Sequence, residues 1–99
     1  MLSVQYLAKA NEYLEGLSDV VRMNIRAHVE YLRLGNHEKV VVKQLRRPVQ
    51  ELIVGEQRIV YFCVRSTLYI VSVFRKRSRK TPKNEIENAM KLYNLAKHL

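Results

Sequence analysis

The chain has 99 residues, of which 47% are hydrophobic and 27% are charged. This is enough for one domain with its own core, and the composition excludes general disorder. Eighteen Lys and Arg face nine Asp and Glu, which gives a formal net charge of +9. Such a field attracts phosphate groups before any specific contact forms. Residues 1–99 are therefore predicted to be a single basic domain whose surface binds a polyanion such as RNA.

Several other classes of protein and site are not expected. Cys63 is the only cysteine and lies in an apolar run, which predicts a buried, reduced thiol in a cytoplasmic protein. Residues 1–10 do not resemble a signal peptide, and no apolar stretch approaches the ~20 residues that cross a bilayer. His28, His37 and His98 lie far apart without ligand-spaced partners. We therefore expect no metal site, no cofactor and no contact with a membrane.

The first half of the chain predicts a strand and two helices. Residues 2–7 form the strand, and residues 8–15 form a helix that Gly16 ends. Ser18 is a suitable N-cap for a second helix, which runs to about Leu34 and stops at Gly35. Apolar residues at helical spacing give this second helix one face for the core.

The second half predicts a β meander followed by a helix. Strands are expected from residue 40 and over residues 49–54, 58–64 and 67–74, with short connections that favour antiparallel pairing. The last of these is apolar on both faces, which indicates a central position. Thr81 is a suitable N-cap and Pro82 the first residue of a helix that runs toward residue 98. The fold class is thus α+β: an antiparallel sheet of about four strands, with two N-terminal helices and one C-terminal helix against one face.

The basic residues are concentrated after the last predicted strand, where residues 75–83 read RKRSRKTPK. A run of this kind is commonly a solvated loop, but its place at a strand end favours a site. In an antiparallel meander the start of one strand lies near the end of the next. Arg58 and residues 75–80 are therefore expected to meet at one edge of the sheet.

Other candidate residues have simpler structural explanations. Tyr61 and Tyr69 could stack on RNA bases, but strand tyrosines in a small domain more often pack in the core. Cys63 has no histidine nearby in sequence to activate it as a nucleophile. Glu85 and Glu87 are two positions apart on a helix and do not form a carboxylate pair of the glycosidase kind.

Four segments together resemble a known family. They are ELI at residues 51–53, QRIVY at 57–61, FRKRSRKTP at 74–82 and EIENA at 85–89. This pattern resembles the RelE/HigB-type toxins, specifically their phage-derived branch, over nearly the whole chain. The resemblance implies a RelE-like fold and the toxin of a type II toxin–antitoxin system. It also implies mRNA cleavage in the ribosomal A site and silencing by a helix-turn-helix, HigA-like antitoxin.

The implied reaction needs no metal, because the 2′-hydroxyl of RNA can attack the adjacent phosphate. The protein must orient this attack, stabilise the charge on phosphorus and manage two protons. Arg58, Lys76 and Lys80 are the candidate catalytic residues, since arginine binds phosphate oxygens and lysine can act as an acid or base. The candidate residues for RNA and phosphate binding are Arg75, Arg77, Arg79, Lys83, Arg46 and Arg47.

Two positions depart from the family pattern. Ile53 stands where the family has an arginine, and Gln57 replaces an aromatic residue. An isoleucine cannot contact phosphate through a charge. Two alternatives therefore stay open: an inhibitor without nuclease activity, like the gyrase-directed ParE relatives of this fold, or an inactive RNA-binding relative.

Overall fold

The helices and strands follow the order that the sequence predicts. The computed structural model describes residues 1–99, which form β1 (Ser3–Tyr6), α1 (Ala8–Glu15), α2 (Asp19–Arg33), β2 (Val41–Arg46), β3 (Val49–Val54), β4 (Gln57–Val64), β5 (Thr67–Arg75) and α3 (Lys83–Ala96). A turn of 3-10 helix, His37–Lys39, joins α2 to β2. The predicted α+β class is confirmed. None of the three helices is long and apolar enough to span a membrane.

The sheet has five strands in the order β1-β5-β4-β3-β2, one more than expected. Strands β2 to β5 form the predicted antiparallel meander, but β1 pairs in parallel with β5, from Ser3 opposite Thr67 to Tyr6 opposite Ile70. The reason is the path of the chain: α1 and α2 carry it across the sheet, and the meander brings it back beside β1. Strand β5 is an interior strand, while β4 occupies the centre.

The helices lie on both faces of the sheet, so the prediction of a single covered face is wrong. One core cluster joins α1 and α2 to the sheet and includes Leu14 and Ile25. A second cluster joins α3 to the opposite face and includes Phe62 and Ala89. Strands β4 and β5 are apolar on both faces, and each face needs a helix to remove it from water.

Capping residues fix the ends of the first two helices. Ser18 caps α2 as predicted, accepting a hydrogen bond from the Val21 amide at 3.4 Å. Arg22 Nη1 donates to the carbonyls of Leu14 and Leu17, at 3.3 and 2.9 Å, and so satisfies the end of α1. Gly35 follows α2 with a φ of 79°, a conformation that favours glycine.

Cys63 is exposed, so its predicted burial is wrong. Its neighbours Phe62 and Val64 point toward α3 and are buried, whereas Cys63 points to the other face near the end of β4, where no helix covers it. Tyr61 is buried and donates a hydrogen bond to Gln50 Oε1 at 2.9 Å; burial raises its pKa to about 12. Tyr69 stacks on Phe62 at 5.2 Å. Both tyrosines therefore pack within the fold.

Candidate functional site: a basic cleft

A cleft of about 380 Å³ lies where β3, β4 and β5 meet the N-terminus of α3. Six basic and two acidic side chains line it. Its walls are formed by Glu51, Arg58, Phe74, Arg75, Lys76, Arg77, Ser78, Arg79, Lys80, Thr81, Pro82, Asn84 and Glu85. A cavity with so many cations and only one large apolar side chain suits a phosphate-bearing ligand.

Arg58 is the fixed cation of this cleft. It is the second residue of β4, between Ile53 of β3 and Phe74 of β5. Its Nη1 donates to the carbonyls of Gly55 and Gln57, at 2.7 and 3.0 Å. Its side chain is only 13% exposed. Because the β3–β4 turn holds one amino group, the other can meet an outside acceptor with little loss of side-chain freedom.

The other five cations lie on the segment Arg75–Lys80, called here the basic loop. The Lys76 amide donates to the Glu56 carbonyl at 2.7 Å, which attaches the start of the loop to the β3–β4 turn. Within the loop, Ser78 Oγ donates to the Lys80 carbonyl at 3.0 Å. All five basic side chains are exposed and available to a ligand.

The structure thus places Arg58, Lys76 and Lys80 in one cleft, together with Arg75, Arg77 and Arg79. Their roles in catalysis and in phosphate binding stay predictions. The remaining three candidates lie elsewhere. Lys83 is the exposed first residue of α3 and is outside the cleft wall, and Arg46 and Arg47 lie at the β2–β3 turn, at the opposite end of β3 from Arg58.

Glu51 lines the cleft, although the sequence did not predict it as a site residue. It lies in β3, and its side chain is 4% exposed. Its Oε1 lies 4.0 Å from Arg58 Nε, and its Oε2 accepts a hydrogen bond from the Thr81 hydroxyl. A lone acidic residue in the apolar run PVQELIV was the available signal, because a buried charge requires a partner.

The prediction that Thr81 caps α3 is wrong, because its hydroxyl contacts Glu51 instead. Thr81 does not cap the helix; α3 begins at Lys83, with Pro82 in the cap position and no side-chain cap. As a helix cap, the Thr81 oxygen would accept a hydrogen bond from a backbone amide. Here its hydroxyl donates to the buried Glu51 carboxylate instead, and a hydrogen bond to a charged acceptor is the stronger of the two.

Glu85 attaches α3 to the sheet beside the cleft. Its Oε1 accepts hydrogen bonds from Ser72 Oγ of β5 at 2.9 Å and from Lys9 Nζ of α1 at 3.2 Å. Both acidic residues of the cleft are therefore engaged with the protein. The basic residues of the cleft outnumber these two carboxylates, so the cleft presents a net positive charge to solvent.

Ile53 places an apolar residue next to Arg58 in the sheet, outside the residues that line the cleft. It lies directly opposite Arg58 in β4 and opposite Val41 in β2, which is 62% exposed. The arginine that the RelE/HigB pattern has here would stand beside Arg58. In this chain Arg58 is the only cation of the sheet that lines the cleft apart from Arg75 at the end of β5.

Comparisons with known proteins agree with this architecture. A search of curated proteins finds no match. Among solved structures, the crystal structure of the toxin–antitoxin complex RelBE2 from Mycobacterium tuberculosis is similar, with a TM-score of 0.54 and 21% sequence identity over 78% of this chain and 93% of that chain. At this identity the likeness shows the fold. The family described as phage-derived protein Gp49-like (DUF891) matches residues 12–94. The predicted resemblance is confirmed: the chain belongs to the phage-derived Gp49-like family and has a RelE-type fold.

Proposed function

We propose that this protein is the toxin of a type II toxin–antitoxin system and that it cleaves mRNA on the ribosome without a metal ion. The observation that carries the proposal is the basic cleft, in which Arg58, held by the sheet, faces five cations of the basic loop. The similar solved structure is itself a toxin–antitoxin complex, which supports the toxin role. The ribosomes that it would act on are in the cytoplasm.

The cleft provides the groups that internal cleavage of RNA requires. The 2′-hydroxyl attacks phosphorus and loses its proton, the bond to the 5′ oxygen breaks, and that oxygen gains a proton, which leaves a 2′,3′-cyclic phosphate. Arg58 stabilises the negative charge on the phosphate oxygens from a fixed position. Lys76 and Lys80 are assigned the two proton transfers, to the 5′ oxygen and from the 2′-hydroxyl.

Arg75, Arg77 and Arg79 are assigned to binding. Their side chains are exposed on the basic loop and can reach the phosphates that flank the cleavage point. Contacts of this kind supply affinity that falls as salt rises, and they do not select a base sequence.

The proposed partner is a helix-turn-helix, HigA-like antitoxin that covers the cleft. A net charge of +9 would otherwise attract cellular RNA continuously. Coexpression with the neighbouring reading frame tests this step. A complex that leaves the cleft open and the toxicity intact would exclude direct occlusion.

The decisive experiment is to map mRNA 5′ ends after induction of the wild-type chain and of Arg58→Ala. New ends within translated codons, present in the wild type and lost in the variant, support the nuclease. The matched control is Lys91→Ala, which removes one positive charge from an exposed position of α3 outside the cleft.

Ile53 favours a second candidate, an inhibitor that binds its target without cutting RNA, as the gyrase-directed relatives of this fold do. An isoleucine beside Arg58 leaves the sheet with less charge to stabilise a phosphorane. Inhibition of DNA supercoiling by purified protein, with no new mRNA ends, would support this candidate. Growth without arrest, together with RNA binding, would indicate an inactive RNA-binding relative.

A further inference from the structure

We infer that Glu51 is a positioning residue of the basic cleft. Its buried carboxylate fixes Arg58 and the end of the basic loop relative to each other, in the arrangement that RNA cleavage requires. This inference rests on the function proposed above and names a residue that acts through others.

The first observation is that one carboxylate joins three separate segments of the chain. Glu51 in β3 lies beside Arg58 in β4 through Oε1 and accepts the Thr81 hydroxyl through Oε2. Thr81 directly follows the basic loop. Arg58, which the β3–β4 turn already holds, and the loop that carries the two lysines therefore lie against the same side chain.

The second observation concerns how few contacts order the basic loop. Its start is attached by the Lys76 amide to the Glu56 carbonyl, and its end by Thr81 to Glu51. Between these points only the hydrogen bond from Ser78 to Lys80 lies within the loop. Both attachments are to β3 and its turn into β4, so this hairpin sets the distance between Arg58 and the five loop cations.

The third observation is energetic. A buried carboxylate costs desolvation free energy, and an ion pair at 4.0 Å recovers that cost poorly. A negative charge beneath six cations also weakens their attraction for RNA. Glu51 is therefore poorly explained as a residue for stability or for affinity. Geometry is the property of the cleft that it improves.

Loss of the Glu51 charge should therefore affect RNA affinity and the rate of RNA cleavage in different directions. Removing the Glu51 charge leaves RNA affinity equal or tighter, because the cleft becomes more positive. The cleavage rate falls, because Arg58 and the loop lose their common reference point. A residue that only stabilised the fold would lower both together.

Three variants separate these possibilities: Thr81→Val, which removes the hydroxyl; Thr81→Ser, which keeps it; and Glu51→Gln, which removes the charge. Trypsin reports on the loop, since it cuts after the Lys and Arg of Arg75–Lys80 and none of the variants alters these positions. Cleavage after Arg46, in the exposed β2–β3 turn, is the internal control for trypsin activity, and urea denaturation of the same samples is the control for global unfolding. Cleavage of ribosome-bound mRNA and the Kd for a short single-stranded RNA complete the set.

In Thr81→Val we expect trypsin to cut the basic loop about tenfold faster. The variant loses one hydrogen bond to a charged group, and the free energy of such a bond corresponds to a factor of about ten in loop opening. Cutting after Arg46 stays constant. The rate of mRNA cleavage falls about tenfold, which is again the scale of one such hydrogen bond. The Kd for RNA stays within about twofold of the wild-type value. Thr81→Ser restores both values. Glu51→Gln, whose amide oxygen can still accept the Thr81 hydroxyl, gives a smaller increase in loop cutting than Thr81→Val, with an equal or lower Kd.

The inference is overturned if loop cutting is unchanged in both Thr81→Val and Glu51→Gln, or if lost cleavage is matched by an equal loss of RNA binding. If the wild-type chain cuts no mRNA, the proposed nuclease function fails. The trypsin rates then still decide whether Glu51 orders the loop.

Discussion

The two faces of the sheet are built from different chemistry. The face covered by α1 and α2 holds a continuous apolar cluster that includes Leu14, Ile25 and Ile59. The face covered by α3 holds a smaller apolar cluster, and beside it the buried polar residues Glu51 and Ser72. One sheet thus carries an apolar core on one face and the polar contacts of the candidate site on the other.

This difference shows how a 99-residue chain can support a charged site. Small domains have little stability in reserve, and buried charges reduce it further. Here the buried charge is confined to one end of one face, where α3 begins. The other face buries an apolar cluster and one neutral polar side chain, Gln57, which accepts a hydrogen bond from the Tyr13 hydroxyl. Substitutions on the two faces should therefore have separable effects on folding and on activity.

The largest effect is expected on the apolar face. Leu14→Ala should lower the free energy of unfolding by about 2–5 kcal/mol, because Leu14 is fully buried and its removal leaves a cavity. Urea denaturation measures this change. Leu95→Ala is the matched control, since Leu95 is 68% exposed. Equal losses in the two variants would mean that the α1–α2 face is not the main source of stability.

The next effect is expected in the cleft. Arg58→Ala should lower the rate of mRNA cleavage by a factor of about 10²–10³, the loss that follows removal of one preorganised charge contact to a transition state. Unfolding should change less, although Glu51 loses its ion-pair partner. Single-turnover cleavage and urea denaturation are measured on the same preparation. Full activity in a folded Arg58→Ala protein would refute this site.

Lys76→Ala and Lys80→Ala should each lower the cleavage rate by about 10²-fold, the lower range for loss of a general acid or base. RNA affinity should change little, because the neighbouring arginines maintain the field. Single-turnover cleavage of ribosome-bound mRNA and the Kd for a short RNA are the measurements. Small and equal losses at Arg58, Lys76 and Lys80 would indicate a diffuse electrostatic binder.

The smallest effect is expected for single arginines of the basic loop. Arg79→Ala should weaken RNA binding and reduce the slope of log Kd against log salt by about 1, because each phosphate contact contributes about that much to the slope. The slope is measured with a short RNA over a range of salt. Arg46→Ala is the comparison: an unchanged slope confines binding to the cleft, and an equal reduction extends it to the β2–β3 turn.

Sequence patterns predict the local structure of this chain well. The bounds of α1 and β3 follow from apolar spacing and from Gly16 and Gly55, and Ser18 is recognisable as a cap. The convergence of Arg58 with the basic loop follows from the geometry of a meander. These features depend on residues close in sequence, where propensity and turn chemistry decide the outcome.

Features that depend on distant residues could not be predicted in the same way. The parallel partner of β1 is set by the path of two helices across the sheet. Thr81 has the sequence of a helix cap, but its hydroxyl contacts Glu51, thirty positions earlier. The acceptor became available only when the sheet brought the two together. The polar network of the cleft is therefore a tertiary property.

The parallel pairing of β1 with β5 also has a consequence for folding. Ser3 pairs with Thr67, 64 positions later, so forming this edge closes the longest loop within the sheet. Loop closure over such a distance costs entropy before any contact repays it, and non-local pairing slows folding. We therefore expect the local hairpins of β2 to β5 to form early. The N-terminal strand, although synthesised first, should be the last strand to join the sheet.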